Sequence, residues 1–185
     1  MDEAKHLTLE QLETGTDAIR KSPTDDGVLE LIARRPVIGD RELLQEAQLD
    51  VEQGLVGDNW KERGSGTTKD GAAHPDAQVT VMNCRASELV AQSRERWPLA
   101  GDQLYIDLDL SLDNLPAGTR LRIGSAILEV TALPHTGCKK FAERFGVDAV
   151  EWVSSEKGKR LNLRGINARV VGGGTIRVGD RAVKV

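Results

Sequence analysis

Apolar and polar residues alternate most strictly over residues 103–110, where Leu104, Ile106, Leu108 and Leu110 interleave with Tyr105, Asp107 and Asp109. A period of two predicts a strand with one buried face and gathers the carboxylates on the other. On a regular strand such a pair is more often a solvated face than an acid–base couple. Val79 and Val81 repeat the pattern around Thr80. Val28, Leu29, Leu31 and Ile32 predict another strand, closed before Pro36, while residues 42–49 fit neither period and read as strand or helix. Two later stretches, 123–130 and 178–185, each read as strand, glycine-led turn, strand. Short strands joined by tight turns predict a mainly β, α+β fold of barrel type rather than a helical or doubly wound one.

Helical signals are fewer. Ser87 predicts the N-cap of a helix carrying Leu89, Val90 and Trp97 that Pro98 stops. Thr136 does the same for a helix with Phe141 and Phe145 at i, i+4 spacing, ended by Gly146, and Asp148 with Glu151 reads as a capping box for a helix carrying Val150, Trp152 and Val153. Residues 1–27 read as an N-terminal arm or linker in which Leu7, Leu9, Leu12 and Ile19 could form a short amphipathic helix; residues 28–185 form the folded domain. The stretch Gly54 to Trp60 predicts no regular structure, and residues 61–76 form a long polar loop ending near His74, a residue more often solvated than catalytic in such a place.

Composition narrows the picture. A chain of 185 residues suits one domain, and with only 3% aromatic residues its core must be mostly Val, Leu, Ile and Ala. The net charge of -4 argues against nucleic acid as a partner, and no apolar run reaches membrane-spanning length. The acidic N-terminus lacks the apolar core of a signal peptide, which predicts a cytoplasmic protein with reduced thiols. Its two cysteines, Cys84 and Cys138, have no metal-ligand spacing, and a disulfide between them would be unusual in that compartment.

Reactive side chains converge at His135, Thr136, Gly137, Cys138, Lys139 and Lys140. With Thr136 as cap, Cys138 falls in the first helical turn, where free N–H groups, the lysines and His135 favour a thiolate that attacks electrophiles or binds a soft metal. The competing reading is a buried, inert cysteine. Residues 154–164 carry Lys157, Lys159, Arg160 and Arg164; such a run is usually a solvated loop, and the alternative is an anion site built on Arg164, whose planar fork suits phosphate, with Gly165 allowing close backbone approach. The glycines 172–174 lack the spacing of a nucleotide-binding fingerprint and read as a turn.

Taken together, Gly54-Leu-Val-Gly57-Asp58, Leu115-Pro-Ala-Gly118 leading to Leu121-Arg-Ile-Gly124, Thr136-Gly-Cys138-Lys-Lys-Phe141, Arg164-Gly165-Ile166 and Ile176-Arg-Val-Gly179-Asp180 resemble, in order, a MOSC domain, the family named for the C-terminal domain of molybdenum cofactor sulfurases. The resemblance implies a strand-rich barrel and a cysteine that carries sulfur or ligates molybdenum. Cys138 matches it as catalytic residue and metal ligand, with Thr136, Gly137, Lys139, Lys140, Arg164 and Gly165 as contacts for a molybdopterin cofactor. Pyridoxal phosphate belongs to the wider family, but the aminotransferase-like domain that would hold it has no counterpart here; nor has the extra N-terminal domain of the amidoxime reducers. Where many relatives have His-Gly-Gly, this chain has Ala73-His74-Pro75-Asp76-Ala77.

Three functions follow from the resemblance. The first is a small molybdenum-dependent reductase of N-oxygenated compounds served by a separate electron donor. The second is a persulfide carrier or cofactor chaperone that hands sulfur or cofactor to an acceptor protein. The third is a non-catalytic scaffold.

Overall fold

The computed structural model describes residues 5–185. In chain order the elements are α1 (Leu9–Ile19), β1 (Gly27–Arg34), β2 (Glu42–Leu44), β3 (Glu46–Asp50), β4 (Gly54–Leu55), α2 (Trp60–Arg63), β5 (Val79–Asn83), α3 (Cys84–Ala91), β6 (Leu104–Asp107), β7 (Arg120–Ile123), β8 (Ala126–Val130), α4 (Lys139–Phe145), α5 (Val147–Ser154), α6 (Glu156–Arg160), β9 (Ile166–Gly172), β10 (Gly174–Arg177) and β11 (Arg181–Lys184). Tight 3-10 turns lie at Pro75–Ala77 and Arg94–Ala100.

The strands close a barrel in the order β11, β7, β8, β9, β5, β6, β1, with β1 returning to β11. All pairs are antiparallel except β5 with β6. The short β2 extends from β1, and β10, β3 and β4 form a small second sheet. Closure removes the exposed edges that short strands would otherwise present.

Strand alternation sorts side chains into two cores. Leu29, Ile32, Val79, Val81, Leu104 and Ile106 point into an aliphatic barrel interior. Their neighbours Leu31, Ala33, Met82 and Tyr105 face outward into a second core with Leu12, Phe141, Phe145 and Trp152 from the covering helices. Val, Leu, Ile and Ala fill the barrel as composition predicts, and the scarce aromatics concentrate beneath the helices.

This double burial corrects several expectations. β5 is buried at every position rather than half-buried, and Thr80 is satisfied there by Gln103, whose Oε1 accepts from Thr80 N at 2.7 Å and Thr80 Oγ1 at 2.6 Å. β6 ends at Asp107, and Tyr105 is fully buried, its hydroxyl donating to the Trp97 carbonyl at 2.8 Å. The two carboxylates do structural work: Asp107 pairs with Arg85, and Asp109 accepts from Ser111 N. Residues 42–49 resolve into two strands, and 154–164 include the helix α6, capped by Ser155.

The cap of α3 is Asn83, not Ser87; Asn83 Oδ1 accepts from Arg85 N at 2.8 Å, and the helix ends at left-handed Gln92, well before Pro98. Helix α5 has no side-chain cap, because Asp148 is drawn away to accept Leu9 N at 2.9 Å. That bond, with Leu12 buried against α3 and α5, packs α1 onto the body. The expected C-terminal hairpin is also absent: β10 pairs with β3 while β11 pairs with β7 and β1, so the Gly179 turn carries the chain between sheets. Val178 N, donating to the Gln45 carbonyl, and Gly179 N, donating to the Leu29 carbonyl, fix that crossing.

Candidate functional site

Strand β8 leads into residues 131–138, an irregular segment with bends at Ala132 and Leu133 that runs to the start of α4. Asn167 Nδ2 donates to the Leu133 carbonyl at 3.1 Å, and His135 Nε2 lies 2.7 Å from Asp102 Oδ1. These anchors hold the backbone extended past Thr136, so the helix starts later than the sequence predicts. Cys138 is itself the N-cap of α4, with φ -127° and ψ 173°, and its side chain caps nothing. Its thiol is exposed, whereas Cys84 is buried and pushed up to about 12 by burial and the charges of Asp107 and Glu30; both cysteines are free. Native protein should therefore consume one equivalent of a chromogenic thiol reagent quickly and the second only in denaturant. Two fast equivalents would overturn the burial of Cys84.

Behind the cysteine segment lies a buried polar chain that sequence reasoning missed. Asp102 is fully buried, and Arg164 Nη1 donates to its Oδ2 at 2.6 Å. Burial pushes the Asp102 carboxyl up, but Arg164 and His135, through charge and hydrogen bonds, outweigh it and hold the pKa at about 2. His135 is displaced downward by burial and by Arg164, against the pull of Asp102. It adds no positive charge beside Cys138 near neutral pH, contrary to expectation. Arg164 Nη2 donates to the Ala100 carbonyl at 2.8 Å, its guanidinium lies 4.8 Å above the Phe141 ring, and its Nε has no partner. The expected phosphate fork is thus occupied with Asp102.

A parallel pair supports the other side of this segment. Arg35 donates to both oxygens of Asp58, at 2.9 and 2.7 Å, and to the Gly101 carbonyl at 3.1 Å. Gln103 Nε2 reaches Asp58 Oδ2 at 3.3 Å, joining this pair to Thr80. The signals were Arg35 at the end of an apolar strand and Asp102 at the start of another, polar residues where a core begins.

Two hollows flank the chain of charges. A cleft of about 50 Å³ is walled by Arg35, Arg41, Arg63 and Lys140, together with Asn59, whose Oδ1 has no hydrogen-bond partner among the described residues. Burial and neighbouring guanidinium groups lower the pKa of Arg41 and of Arg63, so these cations repel one another. On the other side a cavity of about 660 Å³ is lined by Thr136, His135, Arg164 and Gly165 and by aliphatic side chains from β8, β9 and the loop before β7. The residues singled out in the sequence therefore divide: Thr136, Arg164 and Gly165 line the large cavity, Lys140 the cationic cleft, and Cys138 neither. Lys139 is 91% exposed and 3.9 Å from Glu143, and Gly137 packs near Val150 and Val153. His74 accepts from Asp76 N in its own turn.

A closed barrel carrying an exposed cysteine at a helix start, with buried ion pairs behind it, defines the class. The MOSC domain family model matches residues 68–183, most of the chain, and the protein belongs to that family. Solved structures with the same fold include the YuaD protein from Bacillus subtilis, 16% identical, TM-score 0.64, over 84% of this chain and 93% of that one. YiiM from Escherichia coli is 20% identical with TM-score 0.55, over 85% of this chain and 69% of its own. YiiM from Geobacillus stearothermophilus is 18% identical with TM-score 0.54, over 85% and 73%. No curated protein matches the sequence. Among the described residues no helix is long and apolar enough to cross a membrane, and no three His, Cys, Asp or Glu side chains group to hold a metal ion.

Proposed function

We propose that the protein binds a molybdopterin cofactor, with the Cys138 thiolate on the metal and the cofactor's phosphate in the cleft of Arg41, Arg63 and Lys140. The observation that carries this reading is the pairing of a free, exposed thiol with a cationic cleft reached by Lys140 from the same helix start. The donor set fits the group. A soft thiolate suits molybdenum, a pterin-borne metal needs few protein ligands, and mutually repelling guanidinium groups gain most from an anion.

When bound, the cofactor supplies redox chemistry at the metal. The chain's own residues do the rest: Arg35 and Asp58 brace the cleft wall, and the His135–Asp102 bond fixes the segment that presents Cys138. The second reading is a persulfide carrier, favoured by the same exposed thiol. Expression in a host that makes molybdenum cofactor separates the two. Near-stoichiometric molybdenum and pterin in the wild type, none with Cys138→Ala, and weakened retention with Arg63→Ala are expected. A metal-free wild type with a trapped persulfide on Cys138 would sink the cofactor reading in favour of the carrier.

A further inference from the structure

The cofactor reading leaves the 660 Å³ cavity without a task. Leu115, Ala117, Val130, Ala132 and Ile166 make its walls apolar, and Leu112 at its edge stays 52% exposed. His135 interrupts this surface with 17% of its side chain accessible. An ionised carboxylate only accepts hydrogen bonds. Because Asp102 is ionised above about pH 2, His135 Nε2 must carry the proton and donate to it. The neutral ring then leaves Nδ1 as an acceptor, and no described residue donates to it. The opposite ring edge, at Cδ2, lies close to Gly165.

We infer that this cavity binds a small, mostly apolar molecule carrying one hydroxyl or N–H group, which donates to His135 Nδ1. Asp102 fixes the tautomer and strengthens Nδ1 as an acceptor, as carboxylates do for imidazoles elsewhere. Arg164 keeps that carboxylate charged through Nη1, and its Nη2 is held by the Ala100 carbonyl. The inference does not draw on Cys138.

The test uses 2-naphthol, two apolar rings with one hydroxyl, and 2-methoxynaphthalene, which lacks the donor, titrated by equilibrium dialysis into the full chain. Saturable binding with about a tenfold preference for 2-naphthol is expected, the worth of one net hydrogen bond. Ala132→Trp, a substitution at an exposed wall position, should block both probes while leaving the circular dichroism unchanged. Cys138→Ser should change neither affinity, which separates this site from the cofactor reading. His135→Leu should abolish the preference; if that variant fails to fold, the probe pair and Ala132→Trp still decide. No saturable binding, equal affinity for the two probes, binding that survives Ala132→Trp, or loss with Cys138→Ser would each overturn the inference.

Discussion

Asp102→Ala should lower stability by about 3–5 kcal/mol in urea denaturation, because it strands the buried Arg164 guanidinium without a counter-charge. Adding Arg164→Met should return part of that loss, since the pair's desolvation disappears with it. The pH dependence has a definite sign. Asp102 is held below its ordinary value of 3.8, so its contribution is full above that value and lost as pH falls to about 2. His135 is held below 6.5; the unfolded chain takes up that proton first, so stability also declines as pH drops below 6.5. The variant should lose the more acid of these two limbs. A loss under about 1 kcal/mol would contradict the buried pair, since that is the scale of an exposed one.

Gly165→Ala should rank close behind, at roughly 2–5 kcal/mol from backbone strain plus overpacking. Gly165 has φ of 109°, and a Cβ there would run into the Val81 carbonyl oxygen and lie 3.2 Å from His135 Cδ2. Neither the β5 backbone nor the anchored imidazole can move cheaply. Gly179→Ala is the control: φ is 95° but nothing lies within 4 Å, so only about 1–2 kcal/mol of strain applies. Equal Tm shifts for the two variants would show that the close approach does not matter.

Sequence legibility followed the range of the interactions. The hairpin of β7 and β8 was readable because turn and alternation lie within a dozen residues, and the aliphatic barrel interior followed from composition. Cys138 stood out by residue type and neighbours, and Lys140 by its charge. What escaped depends on partners far along the chain. Thr136 is a competent cap, yet the pull of Asp102 on His135, 33 residues apart, delays the helix. Asp148 has the spacing of a capping box but serves Leu9, 139 residues away. Arg164 reads as a free cation because nothing near it in sequence reveals the carboxylate that claims it. The cationic cleft draws on Arg35, Arg41, Arg63 and Lys140, which no local window contains together.

The pairing of β1 with β11 gives the barrel a seam where Gly27 and Val28 meet Ala182 and Arg181, and Arg181 reaches Asp26 across 155 residues. Along the chain β6 ends at Asp107, while β11 begins only at Arg181. Closing the cylinder therefore requires a contact between the two most distant strands of the barrel in sequence. Because loop-closure entropy rises only slowly with loop length, that closure is a matter of timing more than of cost.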